Sequence, residues 1–425
     1  MSVSENTSQP LDYELLKAAA NSAAALRCRR RLQPAGGEGD KVFPPTYAGA
    51  VYSVEERRVR NDKGEWNSVT CVLLDSVQSQ ANRMEEALQE AIDDGALSVP
   101  LIVVDFAAET ARKGLKDPIL DRVTSLSVPH RLADAMLRDS IEVKTGKMFR
   151  EGAHAARWKL ASNANATAVF ELCPTALVYG LWGSPEKPGG LGAKFERAIV
   201  SEVMAIGCPD WLLDTPWKPQ RYGLKSSPVP VSSGAAVVAD KHAETGWRLT
   251  SDAKAKGALR PSEINHGNVT YPSPGKPSPN VGITADAIEQ TVTLSLIALR
   301  RLRFPKDEKS PATSAANTAA RTLLAALGLC SATLAFAPGM DLRSRCVLFP
   351  DGPMEWDLLD QPGEEPKKYA LDKSLAIKLL NDAIKGAKEA GLPWNTDPIL
   401  LTPSKALVEL VRKSQELAVS DSTDA

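Results

Sequence analysis

The stretch Val69-Thr-Cys-Val-Leu-Leu-Asp-Ser-Val-Gln-Ser-Gln-Ala-Asn-Arg83 decides the fold class predicted for this chain. Its first six residues are apolar enough for a strand in the centre of a sheet. Asp75 and Ser76 are good helix caps, and the apolar stripe after them predicts an amphipathic helix that ends near Gly95. Because an apolar segment at 99–106 predicts a further strand, the stretch opens an α+β fold in which helices cover one face of a sheet.

The regions on either side complete the predicted core. Upstream, apolar spacing predicts a helix over 11–26 that runs into an arginine cluster, and a Gly- and Pro-rich loop follows over 33–40. Strands at 48–60 and 66–75 are predicted to form a hairpin. Downstream, apolar patterns and caps predict these elements: a helix at 131–138, a strand at 167–179, helices at 193–206, 284–303 and 318–329, a strand at 345–349, and helices at 371–390 and 403–418.

The composition describes a globular protein. Of 425 residues, 43% are hydrophobic and 24% are charged, which excludes a disordered or collagen-like chain. The first residues lack a basic-then-apolar signal pattern, and apolar stretches such as 99–108 are too short to span a bilayer, so we expect a cytoplasmic protein without membrane contact. The six cysteines form no CxxC pair, so neither a zinc ribbon nor a disulfide framework is predicted.

Charge restricts how this chain could bind nucleic acid. Lys and Arg number 51 against 52 Asp and Glu, whereas free-standing nucleic-acid-binding domains are often basic. Basic residues are nevertheless clustered at 27–31, 57–60, 144–150 and 300–303. Aromatic residues make up only 5% of the chain and no strand has the aromatic signature of an RNA-recognition sheet, so we expect contacts to the RNA backbone rather than base stacking to dominate.

Two junctions have the chemistry of a phosphate site. The loop Gly189-Gly-Leu-Gly-Ala-Lys-Phe195 lacks the Gly-Lys-Ser/Thr of a P-loop, but it leads into a predicted helix start, where free amides attract an anion. At the helix that begins after Ser76, polar side chains lie off the apolar stripe and can hold phosphates and sugars without reading the base sequence. A plain turn and an ordinary polar helix end explain the same residues equally well.

Catalytic motifs are weak in this sequence. The four histidines form no HExxH, and no GxSxG elbow is present. His130 and His266 could each act as a general acid, although structural or substrate-binding roles are more common for such residues. Asp40, in the glycine loop, could serve in RNA cleavage, but it has no evident partner carboxylate. We therefore expect no enzymatic activity, no cofactor and no metal.

A series of ordered segments resembles the backbone subunit of the type I-U (I-G) CRISPR Cascade, the Csb-one branch of the Cas-seven group in the RAMP superfamily. The resemblance runs from about residue 25 to 350 and is least distinctive in the C-terminal part. Its segments are Leu32-Gln-Pro-Ala-Gly-Gly37, Phe43-Pro-Pro-Thr-Tyr47, Leu74-Asp-Ser-Val-Gln-Ser-Gln-Ala-Asn-Arg83, Pro129-His-Arg-Leu-Ala-Asp134, Leu137-Arg-Asp-Ser140, Glu171-Leu-Cys-Pro-Thr175, Gly189-Gly-Leu-Gly-Ala-Lys-Phe195, Pro261-Ser-Glu-Ile-Asn-His-Gly-Asn268 and Leu299-Arg-Arg-Leu-Arg-Phe-Pro305.

The resemblance implies a modified RRM (ferredoxin-like) palm with inserted finger and thumb regions and a helical C-terminal part. Residues 1–350 would form this core, with a thumb or finger insertion at 107–165 and a loop-rich region at 207–283, and residues 351–425 would form a helical extension. It also implies that several copies stack head-to-tail along one crRNA, which pairs with target DNA in antiviral defence. Such a stack needs acidic as well as basic faces, which fits the balanced charge.

The implied partners are crRNA, the target DNA strand, other copies of the chain, a Cas-five/Cas-six-type fusion subunit, a large or helical C-terminal-type subunit, and a helicase-nuclease that is recruited to cut DNA. The chain itself would hold and shape the guide. By position and local chemistry, RNA contact is assigned to Arg30, Arg31, Gln78, Ser79, Asn82, Arg83, His130, Arg131, Gly190, Lys194, Arg197 and His266.

Two enzymatic alternatives stay open. Backbone subunits of the related type III complexes cut target RNA through a loop aspartate in a metal-dependent reaction, and Asp40 is the candidate for that role. Processing of the guide RNA is the other alternative, which His130 could support as a general acid.

Overall fold

The computed structural model describes residues 8–47, 52–60, 63–107, 122–183, 193–213, 236–239, 247–250, 258–259, 282–307 and 310–424. The chain divides into two compact units. Unit 1 comprises residues 1–38, 73–205 and 287–407, and unit 2 comprises residues 39–72, 206–286 and 408–425.

The strands of the described residues, in chain order, are β1 Gln9–Pro10, β2 Ala25–Pro34, β3 Val54–Arg60, β4 Trp66–Asp75, β5 Ile102–Asp105, β6 Arg122–Thr124, β7 Ser140–Glu142, β8 Leu181–Trp182, β9 Lys194–Phe195, β10 Ile199–Ile206, β11 Ala236–Ala239, β12 Trp247–Thr250, β13 Ala258–Leu259, β14 Ala287–Ser295, β15 Met340–Asp341, β16 Val347–Pro350, β17 Glu355–Leu359, β18 Lys367–Ala370 and β19 Ile399–Pro403.

The α-helices of the described residues are α1 Tyr13–Ser22, α2 Val77–Asp93, α3 Ala135–Arg138, α4 Ala153–Lys159, α5 Thr167–Leu172, α6 Thr175–Tyr179, α7 Leu296–Arg300, α8 Ser314–Phe336, α9 Lys373–Glu389 and α10 Lys405–Asp424. Short 3₁₀ turns occur at Arg131–Ala133, Phe149–Glu151 and Asp210–Leu213.

The main sheet of unit 1 is built around β2 and β14, which pair antiparallel from Leu32 opposite Ile288 to Ala25 opposite Ser295. The strand order is β1-β18-β17-β2-β14-β10, followed by the last residues of β4. β1 is parallel to β18, whereas β17 is antiparallel to both β18 and β2, so the sheet is mixed. This confirms the predicted α+β class, while the RRM-like palm with finger and thumb stays a prediction.

Helix α8 forms the core of unit 1. Its leucines, including Leu323 and Leu327, are fully buried, and α1, α2, α6 and α9 pack against it. Thr313 begins the helix, because its hydroxyl accepts a hydrogen bond from the Ala316 amide at 3.1 Å. By length and composition α8 could cross a membrane, contrary to the expectation that no apolar stretch is long enough, but 89% of its apolar window is buried inside the protein.

A second sheet of unit 1 has the order β6-β5-β19-β7. β19 lies parallel to β5, with Ile399 opposite Ile102, and antiparallel to β7. The segment 351–425, for which a helical extension was expected, thus supplies β17, β18 and β19 to two sheets in addition to α9 and α10. Its helices have the predicted positions, but the strands escaped prediction because each has only four or five residues.

Unit 2 contains the predicted hairpin. β3 pairs antiparallel with β4 from Val54 opposite Val72 to Arg60 opposite Trp66, and Gly64 has a φ of 80° in the turn between them. The guanidinium of Arg60 lies 5.2 Å from the centre of the Trp66 ring. β11, β12 and β13 form a separate antiparallel sheet within this unit. Most of the predicted loop-rich region 207–283, and most of the segment 107–121, lie outside the described residues.

The segment 284–303 is a strand followed by one helical turn, so the prediction of a single long helix is wrong. In β14 the buried side chains alternate, at Ile288, Gln290, Val292 and Leu294. A spacing of four residues fits a helix, but it also fits a strand, because four is twice the strand period. β-branched residues between the buried positions then favour the strand.

Three further segments differ from the prediction. The helix expected over 11–26 ends at Ser22, and the arginine cluster after it belongs to β2. The strand expected over 167–179 is the buried helix pair α5 and α6, since a continuous apolar run does not distinguish a buried helix from a buried strand. The helix expected over 193–206 is β9 and β10, in which β10 is buried at the centre of the main sheet.

Candidate nucleic-acid interface

The short hairpin β8–β9 presents the most exposed large aromatic side chain near the predicted glycine loop. Trp182 lies opposite Lys194 in this hairpin, and 73% of Trp182 is exposed to solvent. The Lys194 ammonium lies 5.2 Å from the centre of the Trp182 ring, a cation–π contact that holds both side chains at the surface. Lys194 therefore lies on a strand and not at the helix start that was predicted.

Arg131 anchors this hairpin from inside the protein. Its Nε and Nη2 atoms donate to the two carboxylate oxygens of Glu85 at 2.7 Å each, and its Nη1 donates to the Gly180 carbonyl at 3.1 Å. Only 8% of Arg131 is exposed, and its guanidinium lies 5.4 Å from the Tyr179 ring centre. The predicted RNA contact of Arg131 is thus placed as an internal support for the residue that precedes β8.

Glu85 and Arg131 form a buried ion pair, and burial acts on the pKa of both residues. Burial raises the pKa of Glu85 to about 7, although the neighbouring Arg131 opposes this shift. Burial by itself lowers the pKa of Arg131, but the charge and hydrogen bonds of Glu85 make the net shift upward, so the guanidinium stays charged. Arg131 has a positive φ of 50°, an uncommon conformation for a residue other than glycine, which the bidentate contact to Glu85 stabilises.

Two further predicted residues lie beside the anchored turn. The aliphatic part of Arg197 packs on Gly180, where a Cβ would come within 3.2 Å of the Arg197 Cγ, while the side chain as a whole is exposed. His130 precedes Arg131 and is exposed, and its amide donates to Asp134 Oδ2 at 3.3 Å. The structure therefore brings together His130, Arg131, Lys194 and Arg197, which are up to 67 positions apart in the sequence.

The anchoring residue Glu85 belongs to α2, about two turns after the start of this helix. Gln78 and Asn82 are exposed, and their spacing places them on the helix stripe that continues to Glu85. Ser79 is half-buried, and its amide donates to the capping Ser76 hydroxyl at 3.3 Å. Gln78 and Asn82 can donate and accept hydrogen bonds at the surface without taking part in the core.

Arg83 points the other way and is held by the protein itself. Its Nε donates to Asp75 Oδ2 at 3.0 Å, and its other nitrogens donate to the carbonyls of Asp341 at 3.1 Å and Leu342 at 2.9 Å. The predicted RNA contact at Arg83 therefore corresponds to a side chain that links the α2 start to β15.

Arg30 is also committed to the interior. In β2 the side chains alternate, so Arg29 and Arg31 face solvent whereas Arg30 is buried and donates from Nε to Gln290 Oε1 at 2.9 Å. Burial lowers the pKa of Arg30. Arg29 forms an ion pair with Glu289 at 2.6 Å. Of the two arginines of β2 that were predicted to contact RNA, Arg30 is buried and Arg31 is exposed.

A buried polar network joins Arg30 to the start of α2. Gln290 donates to Gln80 Oε1 at 2.9 Å, Ser201 donates to the same oxygen at 2.6 Å, and Gln80 donates to Asp75 at 2.6 Å. These residues lie on β2, β14, β10, α2 and the end of β4, so the network crosses the main sheet and stiffens the support beneath α2. Sequence patterns did not predict it.

The basic cluster at 300–303 lies beside the same hairpin. A cavity of about 240 Å³ is lined by Lys194, Phe195 and Glu196 on one side and by Leu299, Arg301 and Leu302 on the other. Arg301 is neutralised by Glu196 at 2.7 Å. The sequence patterns indicated this cluster without assigning it a role, and they missed Trp182, for which the available signal was an aromatic residue seven positions before the glycine-rich segment.

Some predicted residues cannot be placed. Gly190 and His266 lie outside the described residues. Asp40 is exposed and belongs to unit 2, where its carboxylate accepts from the Lys41 amide at 2.8 Å. Across the described part of the chain, no group of three or more His, Cys, Asp or Glu side chains is arranged to hold a metal ion.

Comparison with known proteins bears on the part of the chain that contains the hairpin and its anchor. No curated protein matches the chain. The family model described as CRISPR-associated protein GSU0053 matches residues 26–209, which include Glu85, Arg131, Trp182, Lys194 and Arg197. This match supports a CRISPR-associated protein with a role in CRISPR defence.

Proposed function

We propose that this chain is the crRNA-binding backbone subunit of a type I CRISPR Cascade, of the I-U (I-G) subtype, which polymerises along the guide RNA and presents it for pairing with target DNA. The observation that carries this proposal is the surface formed by Trp182 and Lys194 on the hairpin and by Arg197 beside Gly180, the residue that Arg131 and Glu85 anchor. We call it the hairpin surface.

The chemistry of the hairpin surface suits the RNA backbone. Lys194 and Arg197 can each neutralise a phosphate, and the exposed Trp182 ring offers a face on which any base can stack. Gln78 and Asn82 add uncharged hydrogen-bonding groups on the helix stripe that leads to Glu85. None of these contacts reads a base edge, as expected of a protein that leaves sequence recognition to base pairing.

The balanced net charge of −1 fits a stacked assembly better than a free-standing RNA-binding domain. In a head-to-tail stack, the hairpin surfaces of successive copies would form one basic groove, while acidic and basic faces meet between copies. The other Cascade subunits and the helicase-nuclease are proposed partners, in the cytoplasm, and cleavage of DNA would belong to the nuclease. The chain itself is proposed to act without catalysis.

The proposal is tested by the salt dependence of guide-RNA binding. Lys194→Gln should reduce the magnitude of the negative slope of log K against log salt concentration by about 0.7, the value for one phosphate contact to a single strand. Lys388→Gln, which removes an exposed lysine from α9, is the matched control and should leave the slope unchanged. An equal slope for the native protein and Lys194→Gln would remove the hairpin surface from the RNA path.

The enzymatic alternatives are tested in the same preparation. The assembled complex is incubated with complementary RNA and Mg²⁺, and the subunit alone with repeat RNA. We expect intact RNA in both reactions. Evenly spaced cuts that disappear in Asp40→Ala would establish the type III-like nuclease instead, and cleavage of repeat RNA that depends on His130 would establish guide processing.

A further inference from the structure

Three arginines meet where α7 ends in unit 1. Arg303 Nη1 and Arg321 Nη2 both donate to the Leu302 carbonyl, at 3.1 Å and 2.9 Å, so these two nitrogens are at most 6.0 Å apart. Arg303 Nη1 also donates to the Arg300 carbonyl at 2.6 Å, and Arg300 donates to the carbonyls of Ala20 and Ala23. We call Arg300, Arg303 and Arg321 the arginine triad.

No carboxylate balances the arginine triad among the described residues. Arg301, the neighbour in sequence, is paired with Glu196, but the hydrogen bonds of the triad itself go to main-chain carbonyls. The carbonyls come from the ends of α1 and α7, and a helix C-terminus carries about half a negative charge at most. Three full positive charges therefore face about one negative charge.

The solvent exposure of the three side chains increases from the interior of the protein to its surface. Arg321 is 9% exposed at the bottom, Arg300 is half-buried, and Arg303 is exposed. Burial, followed by the charges of Arg303 and Arg300, lowers the pKa of Arg321 to about 10. Buried charges are normally paired, because an unpaired one has lost its hydration without a compensating partner. An anion at this position would supply the missing charge and remain reachable from solvent past Arg303.

We infer that the arginine triad is a binding site for a phosphate group. Arginine forks match the oxygens of a phosphate, and because Arg303 is exposed, an anion bound beside it also contacts water. The phosphate could belong to a phosphodiester of the guide RNA or to a free phosphate compound. The first source rests on the proposed function, and it would extend the RNA path from the hairpin surface toward α7, since Arg301 and Leu302 line the same cavity as Lys194.

The site itself is tested with inorganic pyrophosphate and the intact chain. We expect pyrophosphate to raise the thermal unfolding midpoint above that in NaCl of equal ionic strength, and Arg303→Gln to lose at least half of this rise. Arg301→Gln removes one charge from the same turn, outside the triad, and should keep the rise. Arg303→Lys retains the charge and should keep most of it. An equal rise in Arg303→Gln and Arg301→Gln, or equal losses in Arg303→Gln and Arg303→Lys, would overturn the inference.

The source of the phosphate is tested by titrating the same proteins with guide RNA. A negative salt slope whose magnitude is about 0.7 smaller in Arg303→Gln than in the native chain and in the control Lys388→Gln assigns the site to RNA. An unchanged slope, together with the lost pyrophosphate effect, assigns it to a small phosphate compound. If the native chain binds no RNA but the pyrophosphate effect still depends on Arg303, the proposed function fails and the phosphate site stands.

Discussion

Replacing Arg131 by methionine should destabilise the protein in a manner that depends on pH. The substitution keeps an unbranched side chain of similar length but removes the partner of Glu85, which is 2.7 Å away through two hydrogen bonds. It also removes the donor to the Gly180 carbonyl and so loosens the support of β8. Breaking a buried ion pair by removing one partner typically costs about 3–5 kcal/mol.

The pH dependence follows from the pKa of Glu85, which burial raises to about 7 from an ordinary value of 4.5. At about pH 6 the carboxyl is protonated in both folded proteins, so the variant loses mainly hydrogen bonds, about 1–3 kcal/mol. Above pH 7 the native protein ionises Glu85 beside Arg131. The variant must keep it protonated or bury a lone charge, which costs about 1.4 kcal/mol per pH unit.

At about pH 8.5 the deficit in the free energy of unfolding should therefore exceed that at about pH 6 by roughly 2 kcal/mol. Urea denaturation at both pH values, followed by tryptophan fluorescence, measures it. Arg29→Met is the matched control, because Arg29 is largely exposed and pairs with Glu289 at 2.6 Å. Its deficit should stay below about 1 kcal/mol at both pH values. A deficit of Arg131→Met that is constant or shrinks as the pH rises would refute the reasoning.

Two further predictions concern stability. Gln290→Leu should lower the free energy of unfolding by about 2 kcal/mol, because Arg30 Nε loses its acceptor and Gln80 loses a donor. The control Thr291→Val, on the opposite face of β14, should change the free energy of unfolding by less than about 0.5 kcal/mol. Gly386→Ala in α9 should lower the free energy of unfolding by about 1 kcal/mol net. The new Cβ would lie 2.1 Å from the Tyr13 hydroxyl oxygen and 2.8 Å from Tyr13 Cζ, and displacing that ring costs about 1–3 kcal/mol, of which the higher helix propensity of alanine offsets about 1 kcal/mol. Tyr13→Phe removes only the hydroxyl contact and should recover part of the loss in urea denaturation.

Local chemistry predicted some elements well. α2 begins after the capping Ser76, as predicted, and α8 lies where a helix was predicted over 318–329 but begins four residues earlier, after the cap Thr313, and ends seven residues later. The hairpin β3–β4 and the terminal helices α9 and α10 also have their predicted positions. In these segments the signal is contained in a few consecutive residues, so no knowledge of distant partners is needed.

Prediction failed where a pattern fits two periods. In 284–303 the apolar spacing of four residues fits a helix and a strand equally, and pairing with β2 decides between them. The same pairing determines which arginine side chains at 29–31 are buried and which are exposed. As a helix they would point in three directions, whereas in β2 Arg30 enters the core and Arg29 and Arg31 face solvent.

The sequence alone determined the α+β class, the caps, the dispersed basic clusters and the match of residues 26–209 to a CRISPR-associated family. Only the tertiary structure decided which of the predicted cations are exposed. Arg83 binds the nearby Asp75 and the distant carbonyls of Asp341 and Leu342. Arg131 binds Glu85 and Gly180, which are 46 and 49 residues away in the sequence. Lys194 stays at the surface because the pairing of β8 with β9 places it beside Trp182, and Arg197 stays exposed with its aliphatic part on Gly180, contacts that no local pattern encodes.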